Sequence, residues 1–141
     1  MYVRDAMSSK VITIGMDASL RDVKQVFDAA GFSHLVVTDH RRVVGVLSDR
    51  DLMSNLSPFI GKLAERSQDL ASLNRRVHQF MSRHPKTIGP DQPVSLAGEI
   101  MLRDRISCLP VVDQDSQLLG IITLRDVARV TIELFHQEDA A

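Results

Sequence analysis

The chain has one cysteine, no tryptophan, and only five phenylalanines and one tyrosine. A single cysteine excludes an internal disulfide, and Cys108, set between Ser107 and Leu109 in an apolar run, reads as a small core side chain. So few aromatics leave no row of stacking platforms for single-stranded nucleic acid, and a formal net charge of −1 supplies no general basic face for a phosphate backbone. No apolar run approaches the roughly 18 residues of a membrane span, and no basic–apolar–small leader opens the chain, so a cytoplasmic protein with no membrane partner is expected. The histidines His34, His40, His78, His84 and His136 are scattered without ligand spacing. Gly-x-Ser-x-Gly, Cys-x-x-Cys, a Walker loop and Gly-x-Gly-x-x-Gly are all missing. With neither a nucleophile–base pair nor a metal set in view, the expectation is a protein that is not an enzyme and requires no cofactor.

What the chain does contain is one pattern written twice. Val3–Leu52 lies over Val77–Val127 with one residue inserted in the second copy. Identities fall at Val3/Val77, Met7/Met81, Ser8/Ser82, Thr13/Thr87, Ile14/Ile88, Gly15/Gly89 and Asp17/Asp91. They continue at Ser33/Ser107, Leu35/Leu109, Val37/Val111, Asp39/Asp113, Gly45/Gly120, Arg50/Arg125 and Asp51/Asp126. Each copy is marginal alone, so the two are expected to share a core about a pseudo-two-fold axis, which creates paired clefts for small ligands.

The element pattern repeats as well. In the first copy, Val11–Ile14 is a β-branched run closed by Gly15, and Asp17–Ser19 offers caps for a helix whose stripe is Leu20, Val23, Val26, Phe27 and Ala30. Gly31 stops that helix. His34–Thr38 and Val43–Leu47 form a hairpin, and Ser48 opens a short helix. The second copy replays this with Thr87–Ile88, a helix starting at Pro93, strands Cys108–Val112 and Leu118–Thr123, and a last helix through Phe135. Residues 136–141 are expected to fray. The fold class is therefore α+β, strand–helix–strand–strand–helix in each copy. The boundaries read as 1–56, a connecting helix over 57–76, and 77–141.

The sharpest local signal is Gly45-Val46-Leu47-Ser48-Asp49-Arg50-Asp51, echoed by Gly120-Ile121-Ile122-Thr123-Leu124-Arg125-Asp126. Both place a hydroxyl three residues before an aspartate, where a strand becomes a helix. One reading is a reciprocal helix cap. The other uses the same groups on a nucleoside phosphate: free N–H groups for phosphate, a carboxylate for ribose hydroxyls, and Arg50 or Arg125 for a bidentate phosphate contact.

These pieces together resemble a tandem pair of CBS domains, the Bateman module. The resemblance rests on the strand VITI or KTIG after Met-Ser, on Leu109–Asp113 (LPVVD), and on the two Gly-φ-φ-Ser/Thr-x-x-Asp segments, in the same order in both copies. It implies two repeats packed sheet to sheet, with AMP, ADP, ATP or S-adenosylmethionine in the clefts. It implies that Ser48 with Asp51, and Thr123 with Asp126, hold phosphate and ribose. The first strands, at Ile12, Thr13, Lys86 and Thr87, would lend groups to the base, and His34 would face phosphate. It also implies a homodimer, with the helices at Asp49–Leu56 and Arg125–Phe135 as candidate surfaces. The function expected is a regulatory module that signals by conformational or dimer rearrangement. The alternative is an interaction scaffold for an unidentified partner enzyme or transporter, bound through 57–76. Two departures make the copies inequivalent: Cys108 stands where the first copy has His34, and Val36 stands where the second has Pro110.

Overall fold

The computed structural model describes residues 1–30, 33–55 and 70–140. Among these are five α-helices, two single-turn 3₁₀ segments and six strands. The elements in chain order are α1 (Val3–Ala6), β1 (Thr13–Gly15), α2 (Leu20–Ala30), β2 (His34–Asp39), β3 (Arg42–Ser48) and α3 (Asp49–Asn55). After the 3₁₀ turns Ser72–Asn74 and Val77–Gln79 come β4 (Ser82–Arg83), α4 (Val94–Asp104), β5 (Cys108–Val112), β6 (Leu118–Thr123) and α5 (Leu124–Ala140). The α+β class expected from the sequence is the one observed. The stop at Gly31 and residues 57–69 of the expected connecting helix lie outside the described residues; of the rest, Ser72–Asn74 is one 3₁₀ turn.

The chain divides into two compact units. The first comprises Ile12–His40 and Val44–His84, and the second comprises Met1–Val11, Arg41–Val43 and Pro85–Ala141. In the first unit β1 runs parallel to β2, with Thr13 opposite Val36, and β3 is antiparallel to β4, with Gly45 opposite Arg83 and Val46 opposite Ser82. The strand order is β1-β2-β3-β4. Leu35, Val36 and Val37 on β2 are fully buried, as expected of a strand covered on both faces. Helix α2 crosses between the parallel strands and buries Leu20, Val23 and Phe27. Its start is fixed by a capping box: the Ser19 N–H donates to Asp22 Oδ2 at 3.0 Å, and the Asp22 N–H donates to Ser19 Oγ at 3.3 Å. That bond holds the Asp22 carboxyl below its ordinary range.

The second unit repeats this order with thinner edges. β5 pairs antiparallel with β6, Cys108 opposite Thr123 and Pro110 opposite Ile121. The expected strand Thr87–Ile88 is reduced to a single parallel bridge from Ile88 to Val111, because only the Ile88 N–H (to Pro110 O, 3.1 Å) and the Ile88 carbonyl (from Val112 N, 3.0 Å) join the ladder. On the other edge Ser8 and Ile121 exchange both backbone bonds at 2.9 Å. The last helix runs through Ala140, so the expected fraying of 136–140 is not observed; the stretch holds no Gly or Pro to end a helix.

The opening segments are exchanged between the repeats. Val3 and Ala6 join Ile88, Val94, Ala97, Met101, Leu109, Val111, Ile122 and Val130 in the core of the second unit. Val77 and Met81 join Leu20, Val23, Phe27, Leu35, Val37, Leu47 and Leu52 in the core of the first. The Met-Ser pair of each repeat thus lies on the glycine-bearing strand of the other. A Cβ on Gly45 would meet Met81 Sδ at 2.6 Å and Ser82 O at 3.0 Å, and one on Gly120 would meet Ser8 O at 2.6 Å and Met7 Sδ at 3.0 Å. Close backbone approach explains both glycines without appeal to unusual dihedrals.

Candidate functional site

Both strand-to-helix junctions form the reciprocal box that their spacing suggests. At the end of β3 the Ser48 N–H donates to Asp51 Oδ2 at 2.8 Å and the Asp51 N–H donates to Ser48 Oγ at 3.1 Å. At the end of β6 the Thr123 N–H donates to Asp126 Oδ2 at 2.8 Å, the Thr123 hydroxyl donates to the same oxygen at 2.9 Å, and the Asp126 N–H donates to Thr123 Oγ1 at 3.2 Å. All four side chains are half-buried. The cap reading is therefore realised twice. In both boxes it uses one carboxylate oxygen, Oδ2.

Each junction is pinned to the strand beside it. The Asp49 N–H donates to the Ser33 carbonyl at 3.0 Å, and the Leu124 N–H donates to the Ser107 carbonyl at 2.9 Å. Ser33 and Ser107 immediately precede His34 and Cys108, so His34 comes close to the Ser48–Asp51 box and Cys108 lies beside Thr123. The imidazole of His34 is half-buried; burial lowers its pKa, and the carboxylates of Asp49 and Asp51 push it back up. On the far side of β2, Thr13 pairs with Val36, and the Val36 N–H donates to Ile12 O at 3.2 Å. Thr13 is exposed, as are Arg50 and Arg125, each placed one residue before its aspartate.

Thr87 is exposed beside β5 and lines a cavity of about 450 Å³ in the second unit. The other walls are Ile88–Gln92 and Val112–Gln114. Neither Thr123 nor Asp126 lines it, so of the expected site residues it holds Thr87 alone. Asp113 in its wall accepts the Asp115 and Gln117 N–H groups at 2.8 and 3.0 Å, which commits that carboxylate to the hairpin turn. Among the described residues no cluster of three or more His, Cys, Asp or Glu is arranged to hold a metal, and no helix is long and apolar enough to cross a membrane.

Three contributors escaped the sequence reading. Ser33 and Ser107 act through their carbonyls, and their identity between the repeats was the available signal. Arg129, one turn beyond Asp126, brings Nη2 to 3.4 Å from Asp126 Oδ1 and 3.3 Å from the Ala6 carbonyl. Its spacing of three residues from an aspartate on a helix was the visible clue. It also makes the boxes differ, since Asp126 meets a guanidinium through the oxygen its cap leaves over.

The sheet order, the exchanged openings and the paired junctions define a tandem-repeat α+β module. The family model for the CBS domain matches residues 3–58 and 77–133, and the chain belongs to that family. Among curated relatives it is 32% identical over 129 residues to a homoserine O-acetyltransferase of Methanococcoides burtonii, covering 91% of this chain and 24% of that enzyme. An uncharacterised protein of Methanocaldococcus jannaschii is 29% identical over 133 residues, covering 93% of this chain and 44% of its own length. The chain thus spans less than half of these relatives. Among solved structures, CBSX2 in complex with AMP is 25% identical with a TM-score of 0.78, covering 94% of this chain and 97% of that one. The CBS domain pair of protein MJ0100, in complex with 5-methylthioadenosine and S-adenosyl-L-methionine, is 25% identical with a TM-score of 0.74, covering 93% and 95%.

Proposed function

We propose that this CBS pair is a regulatory module that binds an adenosine-containing ligand at its strand-to-helix junctions and carries out no chemistry of its own. The observation that carries this reading is the duplication of one junction: Ser48–Asp51 and Thr123–Asp126 have matching bonds and matching anchors at Ser33 and Ser107. Asp51, with Oδ2 tied to its own cap, presents Oδ1 to a ribose hydroxyl, Asp126 does so beside Arg129, and we assign phosphate to the Ser48 and Thr123 hydroxyls. Thr13 and Thr87 flank the strands beside the junctions and take the base. The ligands named for the neighbouring structures, AMP in one and methylthioadenosine with S-adenosylmethionine in the other, share only the adenosyl part.

The inequivalence of the repeats favours different 5′ groups. His34 and Arg50 suit an anionic substituent in the first unit. In the second, Cys108 replaces the histidine and Arg129 already meets Asp126. We read the module as a homodimer whose arrangement the ligand biases, by as much as its affinity differs between the two states.

Titration of the full chain with adenosine, AMP, ADP, ATP and S-adenosylmethionine, followed by thermal unfolding, tests this. A ligand at a hundredfold its Kd stabilises by about 2.7 kcal/mol. A response to at least one of them is expected. No response to any leaves the two boxes as helix caps and favours the interaction scaffold.

A further inference from the structure

The two capping boxes share their bonds but not the residue one turn beyond them. After Asp51 that residue is Ser54, whose hydroxyl donates to the Arg50 carbonyl at 2.9 Å. After Asp126 it is Arg129, whose Nη2 lies 3.4 Å from Asp126 Oδ1. That oxygen is the one the cap leaves over, because Oδ2 accepts both the Thr123 N–H and the Thr123 hydroxyl. The oxygen assigned to a ribose at the second junction is thus already partnered by the chain's own helix.

Arg129 has two further partners. Nη2 donates to the Ala6 carbonyl at 3.3 Å, and Nη1 stands 3.8 Å from Glu133 Oε1. Ala6 closes α1 just before Met7 and Ser8, and Ser8 is bonded to Ile121 of β6. The guanidinium therefore joins the junction to the opening segment seated on the same sheet. Glu133, four residues along the helix, gives it a carboxylate to keep when Asp126 is taken, so its departure strands no charge. The Arg129 side chain is 51% exposed. A pair this open is weak and reversible, and it competes with a ligand without excluding it.

We propose that Arg129 is a displaceable competitor at the second junction: it holds the Asp126 oxygen that a ribose hydroxyl needs, retreats to Glu133 when a ligand enters, and so makes the first junction fill before the second. This rests on the adenosyl-ligand reading above and adds the order of filling. The apparent Kd at Asp126 is the intrinsic one divided by the fraction of molecules in which Oδ1 is free. Each ligand that enters there also takes the carboxylate from the guanidinium that bonds Ala6.

Calorimetric titration of the full chain with adenosine tests it. Adenosine carries the ribose without a phosphate, so removing a cation does not by itself cost affinity. Asp51→Asn keeps its cap oxygen and leaves the second junction as the site under study. Against that background Arg129→Gln should lower the adenosine Kd by about threefold or more, and Glu133→Gln should raise it. Raising sodium chloride from about 50 to about 500 mM should tighten binding to D51N more than to D51N/R129Q, because salt screens the Arg129–Asp126 pair. A native chain that binds none of the adenosyl ligands overturns the ligand reading, and this inference with it. If the native chain binds adenosine, a D51N/R129Q chain that binds it no more tightly than D51N overturns the competition alone. A D51N/E133Q chain that binds as D51N does overturns Glu133 as the alternative partner.

Discussion

Gly120 faces the carbonyl of Ser8 so closely that a Cβ on the glycine would stand 2.6 Å from that oxygen. The next residue of that strand, Ile121, exchanges two backbone bonds with Ser8. The first sequence repeat therefore ends its opening segment on the sheet of the second, and Gly45 with Met81 and Ser82 shows the reciprocal arrangement.

Alanine at Gly120 cannot be accommodated by a side-chain shift, because its first obstacle is backbone. At Gly45 the first obstacle is the flexible end of Met81, with the Ser82 carbonyl at 3.0 Å. Gly120→Ala should cost about 2–4 kcal/mol and Gly45→Ala about 1–3 kcal/mol, the range of overpacked sites. Urea unfolding measures both, and a negligible loss at Gly120, or a larger loss at Gly45 than at Gly120, would show that the approach is looser than described.

The exchange also dictates which fragments fold. The first compact unit is contained in the contiguous stretch 12–84, whereas the first sequence repeat, 1–56, lacks Val77, Met81 and β4. A fragment of residues 12–84 should unfold cooperatively in urea, and a fragment of residues 1–56 should not. The opposite outcome would mean that the repeats, and not the exchanged units, are the folding entities.

His34 ties stability to pH. Burial holds its folded-state pKa below the ordinary 6.5, so the unfolded chain binds the proton first as pH falls. Stability contributed by the neutral imidazole is present above that ordinary value, declines as pH drops below it, and levels off beneath the folded-state pKa. Chemical denaturation at pH 7.5 and 5.5 should show a larger loss for the native chain than for His34→Gln. A variant that loses as much as the native chain would remove His34 from the accounting.

The two boxes were legible because capping is local: a hydroxyl three residues before a carboxylate needs only its own turn. The core stripes were legible for the same reason, Leu20, Val23 and Phe27 recurring at helical spacing. Which sheet Met7–Ser8 or Met81–Ser82 would join was not legible. Their identity marks them as equivalent, but only the path of the chain decides that each completes the other repeat. The Thr87–Ile88 strand was overstated, since β-branched composition says what suits a ladder and not how many partners the edge supplies. Residues 136–140 were misjudged through their polarity, which fits an exposed helix as well as a coil.

The central claim is that Asp51 and Asp126 hold the sugar of an adenosyl ligand. Calorimetric titration of AMP into the native chain, Asp51→Asn, Asp126→Asn and the double variant tests it most directly, because asparagine keeps a cap oxygen while removing the charge. The expected result is near-native thermal stability throughout, binding weakened by about tenfold or more in at least one single variant, and none detectable in the double variant. Unchanged AMP affinity and stoichiometry in the double variant would contradict the claim.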